Sequence, residues 1–204
     1  TTEYWPWLFR SIVYGGLATI LAFALGFPLA YAIAFRGGAY KNVLLFLVIA
    51  PFFTSFLLRT ISWKIILGDE GFILGPLKDL GLVDPDFGVL QTPFAVVAGI
   101  TYNFLPFMTL PIYVSLEKVD WRLVEAAQDL YASRLGAFRR ITFPLSLPGV
   151  FAGSLLTFIP AMGDYVNAEL LGNTTTTMIG NVIQNQFLTQ NNYPTASALS
   201  FLLM

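Results

Sequence analysis

Acidic and aromatic side chains that could bind a cation lie close together after the fourth long uncharged run of the sequence. Asp164, Tyr165 and Glu169 occur within six residues, with Asn167 between them. A carboxylate can form an ion pair with a cation, and an aromatic ring attracts one through cation–π contact. The pattern indicates either a cation-binding part of a transport path or an ordinary solvated outer loop.

A second group of polar and aromatic residues lies near the end of the second apolar run and inside the third. Arg59 and Trp63 belong to the segment RTISW, and Tyr102 and Asn103 precede LPF. Ionisable residues inside a membrane are costly and commonly functional, so this group is a candidate for the outer mouth of a path. Two other roles remain open. Arg59 could extend to the membrane interface beside Trp63, and Tyr102 could pack between helices.

The composition excludes several kinds of chemistry. The 204 residues include no His and no Cys, which rules out disulfides, thiolate nucleophiles, zinc sites built on those ligands and histidine acid–base pairs. The sequence contains no G-x-x-x-x-G-K-[ST] segment to hold ATP phosphates. We therefore assign no catalytic residue and no metal site, and a partner must hydrolyse ATP if ATP drives the protein. A net charge of -1 gives no reason to expect nucleic acid.

Long apolar runs dominate the chain. Charged residues make up 11% of it, less than half of the roughly 25% usual in soluble domains. A helix needs about 20 apolar residues to cross the hydrocarbon layer, and the second run reaches that length if it extends past Arg59 to about Leu67, with a bend at Pro51. We therefore predict an all-α membrane protein with about five transmembrane helices. The predicted spans are Ser11–Phe35, Val43–Leu58 with its extension, Thr92–Leu116, Ile141–Gly163 and a fifth from Tyr193 onward.

The polar segments and the basic residues predict an orientation. Gly68–Gln91 is polar and rich in Gly, Pro and Asp, so we expect a loop outside the bilayer. Asp164–Asn192 is also polar, and we expect it mostly outside the bilayer. The side that holds Asp120–Gly149 has seven Lys and Arg residues, and the opposite side has three, with Arg59 near its edge. Because Lys and Arg accumulate in cytoplasmic loops, we expect Asp120–Gly149 in the cytoplasm and the two polar segments outside.

An amphipathic segment, Asp120–Gly149, connects the third and fourth runs. Asp120 can cap a first helix, and Ser133 can cap a second one that must stop or kink at Pro144. Apolar residues repeat on one face of the first helix. We interpret the pair as a handle for a soluble partner, with a helix lying on lipid headgroups as the alternative. The face comprises Leu123, Ala126, Ala127, Leu130 and Tyr131.

The same segment resembles the EAA loop of ABC importer permeases. The family pattern is EAA, three residues, Gly, nine residues, Ile, one residue, Leu and Pro, and this chain has Glu125-Ala126-Ala127, Ile141 and Pro144 at the matching positions. Tyr131 stands where the family has Gly, which would permit a tight turn between the helices, and Phe143 stands where it has Leu. The resemblance implies that the pair docks on an ATPase. The coupling residues would be Leu123, Glu125, Ala126, Ala127, Leu130, Tyr131, Ile141 and Pro144.

Three further segments resemble the spermidine/putrescine branch of these permeases: RTISW, NFLPFMTLPIYVSLEKVD and GDYVNAELLGN. The branch has the MetI-like permease fold with about six spans, so the first span would be missing from this sequence. The resemblance implies two ATPase copies, a second similar permease, an extracytoplasmic binding protein and a place in a bacterial inner membrane. ATP and magnesium would be bound by the ATPase, with no cofactor in this chain.

We therefore expect residues 1–204 to form a single transmembrane permease domain, with the cytoplasmic EAA loop at residues 117–148 within it. The chain would be a non-catalytic subunit that passes a small solute, expected to be a polyamine, by alternating access coupled to an ATPase. The alternatives are a permease of the same family for another solute, a secondary transporter or channel, and a membrane-embedded enzyme. The expected path residues are Arg59, Trp63, Tyr102, Asn103, Asp164, Tyr165 and Glu169.

Overall fold

The computed structural model describes residues 4–84 and 86–203, and within these the chain is helical, with no β-strand. This agrees with the all-α prediction. Short 3-10 segments occur at Gly38–Tyr40, Ala50–Phe53 and Thr174–Thr176, and π-helical segments at Phe138–Thr142 and Asn185–Thr189. The α-helices are α1 (Trp5–Arg36), α2 (Lys41–Ile49), α3 (Phe56–Ile66), α4 (Leu74–Asp79), α5 (Pro93–Glu117), α6 (Trp121–Asp129), α7 (Arg134–Ala137), α8 (Phe143–Met162), α9 (Val166–Leu171), α10 (Ile179–Gln184) and α11 (Tyr193–Leu203).

Three helical segments of the described chain are long and apolar enough to cross a membrane. They are α1 with 32 residues, α5 with 25, and the continuous segment Arg134–Met162 with 29. Gly38–Phe53 and Phe56–Ile66 form a bent pair that would make a fourth span, and Pro51, where the sequence predicts a bend, lies at the end of the first member. The helix predicted from Tyr193 onward begins there and has 11 described residues.

The chain folds into two compact units. The first unit consists of the described parts of residues 1–18, 52–103 and 158–204, and the second unit consists of residues 19–51 and 104–157. The first unit contains all the residues expected to form the path. The second contains all the residues expected to couple to an ATPase.

The core of the second unit lies between α1 and α5. A Cβ at Gly26 would come within 2.9 Å of Thr109 Oγ1, so glycine at this position permits the two helices to pack closely. The Lys41 ammonium lies 2.6 Å from a Glu117 carboxylate oxygen and so joins the start of α2 to the end of α5. The buried core comprises Ala22, Phe27, Ala30, Ile33, Met108, Ile112, Tyr113 and Leu116.

Both polar segments contain helices, which corrects the prediction of a loop at Gly68–Gln91. Gly68–Gln91 includes α4, whose Leu74 is buried. Asp164–Asn192 includes α9, α10 and a 3-10 turn capped by Asn173, whose side-chain oxygen accepts from the Thr175 N–H at 2.8 Å. The polar Thr and Asn residues supply caps, while short apolar stretches between them are buried, so polarity here does not mean an irregular chain.

Candidate coupling loop and transport path

The two helices of the EAA loop begin at the residues that the sequence predicts as caps. Asp120 Oδ1 accepts a hydrogen bond from the Arg122 N–H at 3.0 Å at the start of α6. Ser133 Oγ accepts from the Gly136 N–H at 3.1 Å at the start of α7. Each bond satisfies one of the backbone donors that a helix start leaves unpaired. Local hydrogen bonds therefore fix both helix starts.

Tyr131 forms the turn between the helices with a left-handed backbone, at φ 63°. Its N–H donates to the Gln128 carbonyl at 2.9 Å, and the Ala132 N–H donates to the Ala127 carbonyl at 3.0 Å. These two bonds define a Schellman motif, which usually has glycine at the left-handed position. Tyr131 thus adopts the conformation for which the family pattern has glycine. Its side chain is 98% exposed.

The apolar face predicted for the first helix is mostly uncovered. The helix ends at Asp129, so Leu130 and Tyr131 lie beyond it, which corrects the predicted extent of the face. Leu123 and Ala126 are exposed, and Ala127 is half-buried. Instead, Val124 is the buried residue of α6. The helix therefore rests on its unit through one side and leaves the EAA side accessible.

Pro144 does not end the second helix, which leaves a kink as the other predicted outcome. The chain is helical from Arg134 to Met162, with the π-helical segment Phe138–Thr142 just before Pro144. Proline removes one backbone donor and crowds the preceding turn, and a π segment relaxes that crowding by widening the helix. Pro144 is exposed in the first turn of α8, and Ile141 is half-buried within the π segment.

A buried polar network joins three helices of the first unit. The Asn103 amide of α5 donates to Thr60 Oγ1 of α3 and to Asn167 Oδ1 of α9, both at 3.2 Å. Asn167 in turn donates to Asp164 twice, from its backbone N–H at 2.9 Å and from its amide at 2.6 Å. Asn103 Oδ1 is buried without a hydrogen-bond partner among the described residues, so the network is satisfied only in part. Thr60 and Asn167 were not among the predicted path residues, although both lie within the quoted motifs.

Asp164 is a structural member of this network and is only 6% exposed. Burial raises the pKa of its carboxyl above the ordinary value, while hydrogen bonds from the Asn167 backbone and amide and the Val166 backbone oppose that shift. Because its oxygens already accept bonds from Asn167, Asp164 holds the start of α9 in place.

Arg59 is 9% exposed and does not extend into water. Its guanidinium carbon lies 4.9 Å from the ring centroid of Phe52 and 5.7 Å from that of Phe56. Its Nε and Nη1 atoms are buried and have no hydrogen-bond partner among the described residues. Burial of a guanidinium whose donors are unpaired costs folding free energy. Packing within the first unit therefore does not explain why an arginine is buried here.

Trp63 and Tyr102 are in direct contact. Their ring centroids lie 5.4 Å apart in an edge-to-face arrangement. Trp63 is one helical turn after Arg59 on α3, and Tyr102 precedes Asn103 on α5. Four of the predicted path residues therefore lie on the two helices that the Thr60–Asn103 bond joins.

Glu169 lines a separate cavity of about 670 Å³ in the first unit, together with the rings of Tyr4 and Trp7. Glu169 is exposed and makes no ion pair with a described residue. Tyr165 is exposed but is not part of the cavity lining. The sequence analysis did not predict that Tyr4, Trp7 and several amide side chains line this cavity. The polar segment after Asn173 has no local pattern that indicates its packing around Glu169. The amide side chains of the lining are Asn181, Gln184, Asn185, Gln186 and Gln190.

Comparison with known protein families shows to which family this chain belongs. The family described as "Binding-protein-dependent transport system inner membrane component" matches residues 22–204, and the chain belongs to this family. It is a multi-pass, non-catalytic permease subunit of an ABC importer, as the sequence predicts.

Individual relatives show which transport proteins this chain is similar to. The spermidine/putrescine transport system permease protein PotB of Haemophilus influenzae is 41% identical over 193 residues, which cover 95% of this chain and 68% of the relative. PotB of Escherichia coli K12 is 41% identical over 200 residues, covering 98% of this chain and 73% of the relative. A bacterial ABC transporter that imports alginate is 18% identical with a TM-score of 0.74, covering 99% of this chain and 74% of that one, which shows a shared fold.

Proposed function

We propose that this chain is the membrane subunit through which an ATP-driven importer moves a polyamine such as spermidine or putrescine. The observation that carries the proposal is its 41% identity to two permeases named for those solutes, along 95% or more of this chain. A polyamine is a flexible chain with several positive charges. A path for it therefore needs carboxylates, aromatic faces and amide oxygens spaced along its length.

The cavity beside Glu169 supplies these groups for one end of the solute. We propose that Glu169 pairs with an ammonium group, that Trp7 provides a ring face, and that Tyr165 lies on the route to the cavity. Trp63 and Tyr102 would form an aromatic wall further along the path, supported by Asn103 and Asp164 from the buried network. In this proposal Arg59 lines the mouth of the path.

The EAA loop, at residues 117–148 within a single transmembrane domain of residues 1–204, is proposed to lie in the cytoplasm and to dock on an ATPase. Exposure of Leu123, Glu125 and Ala126 supports this, because a docking face must be uncovered in the free subunit. The carboxylate of Glu125 would meet basic or amide donors. Leu123 and Leu130 would fill apolar holes, and Ala126 and Ala127 would allow close approach. Tyr131, Ile141 and Pro144 are the remaining proposed coupling residues.

The remaining parts of the importer follow from this arrangement. Two ATPase copies would bind ATP and magnesium, a second similar permease would complete the path, and an extracytoplasmic binding protein would deliver the solute to Gly68–Gln91 and Asp164–Asn192. ATP binding would close the ATPases and open the path outward, and hydrolysis would reset it. The direction of transport then depends on the different affinities of the two states for ATP and solute.

Uptake by reconstituted vesicles tests the proposal. The complete importer should take up labelled spermidine only with ATP, and unlabelled putrescine should compete while a sugar, phosphate or an amino acid should not. ATP-driven uptake of another solute alone would identify a permease for that solute, and uptake without ATP would identify a secondary transporter.

A pair of variants tests the role of Glu169. Glu169→Gln should lower spermidine uptake at least about tenfold, since about 1.4 kcal/mol of lost binding corresponds to that factor. Glu169→Asp keeps the charge and should retain most of the uptake. Equal uptake by wild type and Glu169→Gln would remove Glu169 from the path.

A further inference from the structure

A cavity of about 310 Å³ lies in the second unit, between the last turn of α1, the EAA helix α6 and the start of the segment Arg134–Met162. Its lining combines two arginines, Arg36 and Arg134, with several aromatic rings, and none of its described lining residues is acidic. Its volume is at the lower end of the roughly 300–1,000 Å³ range of small-molecule sites. The chemistry of this lining is that of a site for an anion.

The two arginines are available to a ligand. Both are exposed, and the ion pairs of the described residues join Lys41 to Glu117 and Lys78 to Asp69 instead. Two positively charged side chains that line one small cavity, with no carboxylate among its described lining residues, repel each other. An anion bound between them removes that repulsion, and a phosphate matches the planar donor geometry of guanidinium particularly well.

The apolar part of the cavity is a row of aromatic rings. The ring centroids of Phe35 and Trp121 lie 5.0 Å apart, those of Tyr31 and Phe35 lie 4.9 Å apart, and those of Tyr31 and Phe138 lie 6.0 Å apart. Such a wall excludes water and strengthens the attraction between the guanidinium groups and a charge beside it. It also offers a surface for the apolar part of an amphiphile. A ligand with a phosphate and an adjoining apolar part fits both features.

The positions of the arginines indicate which amphiphile it is. Arg36 is the last residue of the candidate span Trp5–Arg36, and Arg134 is the first residue of the candidate span Arg134–Met162. Arginines that close membrane spans lie at the depth of lipid headgroups, and basic pockets at the cytoplasmic ends of spans can hold anionic headgroups. We propose that this cavity binds the phosphate headgroup of an anionic phospholipid. A zwitterionic lipid would bring its own cation towards the two arginines and is disfavoured.

A bound headgroup would connect the EAA helix to both spans. Trp121 belongs to α6, Arg36 ends α1, and Arg134 begins the segment that leads into α8, so one ligand would contact all three elements. This goes beyond the proposed polyamine transport, because lipid binding can be measured with no transported solute present. The lipid proposal rests on the cytoplasmic orientation proposed for the EAA loop, and a failure of polyamine uptake alone leaves it standing.

The test uses the assembled importer in a mild detergent. Native mass spectrometry would count retained phosphatidylglycerol or phosphatidylcholine, and thermal unfolding would be followed against the concentration of each lipid and of inorganic phosphate. Wild type should prefer phosphatidylglycerol, and R36Q/R134Q should bind it at least about tenfold more weakly. The matched control, R139Q/R140Q, removes the same charge from two exposed arginines of the neighbouring π segment that do not line the cavity, and it should bind as wild type does.

Several results would overturn the proposal. One is unchanged phosphatidylglycerol binding in R36Q/R134Q. Another is an equal loss of phosphatidylglycerol binding in R36Q/R134Q and R139Q/R140Q. A third is that wild type binds phosphatidylcholine as tightly as phosphatidylglycerol. If wild type binds inorganic phosphate as tightly as phosphatidylglycerol, the assignment of the cavity to a lipid is overturned. If R36Q/R134Q fails to fold, R36K/R134K provides the second measurement, because it keeps both charges and should still prefer phosphatidylglycerol. Loss of that preference in the folded lysine variant would also count against the site.

Discussion

The N–H of Ala132 donates a hydrogen bond to the carbonyl oxygen of Ala127 at 3.0 Å, across a turn whose left-handed residue is Tyr131. The bond ends α6 and sets the direction in which the chain enters α7. A residue with a Cβ disfavours this conformation by about 1–2 kcal/mol relative to a right-handed one. The side chain is exposed, so no contact within the described residues repays this strain. The EAA turn is therefore formed at a cost that glycine would avoid.

We expect Tyr131→Gly to stabilise the protein. Relief of the left-handed strain outweighs the greater freedom of glycine in the unfolded chain, for a gain of up to about 1 kcal/mol. Thermal unfolding in detergent should show a higher midpoint. Leu130→Gly is the matched control and should lower the midpoint, since Leu130 has a negative φ of -85°. A lower midpoint for Tyr131→Gly would mean that the tyrosine ring makes a stabilising contact in the assembled importer.

Removal of the Asn167 side chain should be among the most damaging single changes in the first unit. Asn167→Ala removes one of the two acceptors of the Asn103 amide and the amide donor to Asp164 Oδ2. A buried polar atom left unsatisfied in this way costs about 1–3 kcal/mol. The midpoint of thermal unfolding should fall sharply. Asn42→Ala, at an exposed position of α2, should change stability by no more than about 0.5 kcal/mol. Similar midpoints for the two variants would show that the network contributes little.

The raised pKa of Asp164 predicts a pH dependence of stability. A carboxyl with a folded-state pKa above its ordinary 3.8 binds its proton more tightly in the folded protein. The stabilisation that this protonated carboxyl provides is therefore complete below its ordinary pKa of 3.8. It is lost as the pH rises through the higher folded-state pKa. The stability of wild type minus that of Asp164→Asn should fall as the pH rises from about 4 and then level off. A difference that rises over the same range would contradict the burial of this carboxyl.

The sequence predicts the elements of this protein that depend on local patterns. Uncharged runs of sufficient length reveal the spans, and Asp120 and Ser133 reveal helix starts because a cap acts only on its own first turn. The family pattern around Glu125 indicates the permease family to which the chain belongs. Each of these features depends on neighbouring residues, which a sequence displays directly.

Features that depend on distant residues could not be predicted in the same way. Thr60, Asn103 and Asn167 meet because three helices pack together, and nothing in their local sequences sets that register. Asp164 looks like a solvated carboxylate next to Tyr165, yet it is buried and accepts two hydrogen bonds from Asn167. Polar residues after Asn173 look like a loop, although several of them cap helices.

Replacement of Arg59 by an apolar residue should separate stability from transport. Arg59→Met removes two buried donors that have no partner among the described residues, and exchange of a poorly satisfied buried charge for an apolar residue of similar volume is often neutral or stabilising by about 1–4 kcal/mol. We expect an unchanged or higher unfolding midpoint together with reduced spermidine uptake. Lys64→Met, at an exposed position of the same helix, should leave both unchanged. A lower midpoint for Arg59→Met would indicate that a partner subunit provides the acceptor.

A bulky residue on the EAA face should uncouple the permease from its ATPase. Ala126 is exposed on α6, so Ala126→Trp should leave the subunit folded while it prevents close approach of the ATPase. We expect co-purification of the ATPase to weaken at least about tenfold, or about 1.4 kcal/mol, and ATP-driven uptake to fall with it. Glu125→Lys should act in the same direction by reversing a charge. Ala39→Trp adds the same bulk at an exposed position between α1 and α2 and should retain the ATPase. Equal assembly and uptake in Ala126→Trp and Ala39→Trp would show that the EAA face is not where the ATPase docks.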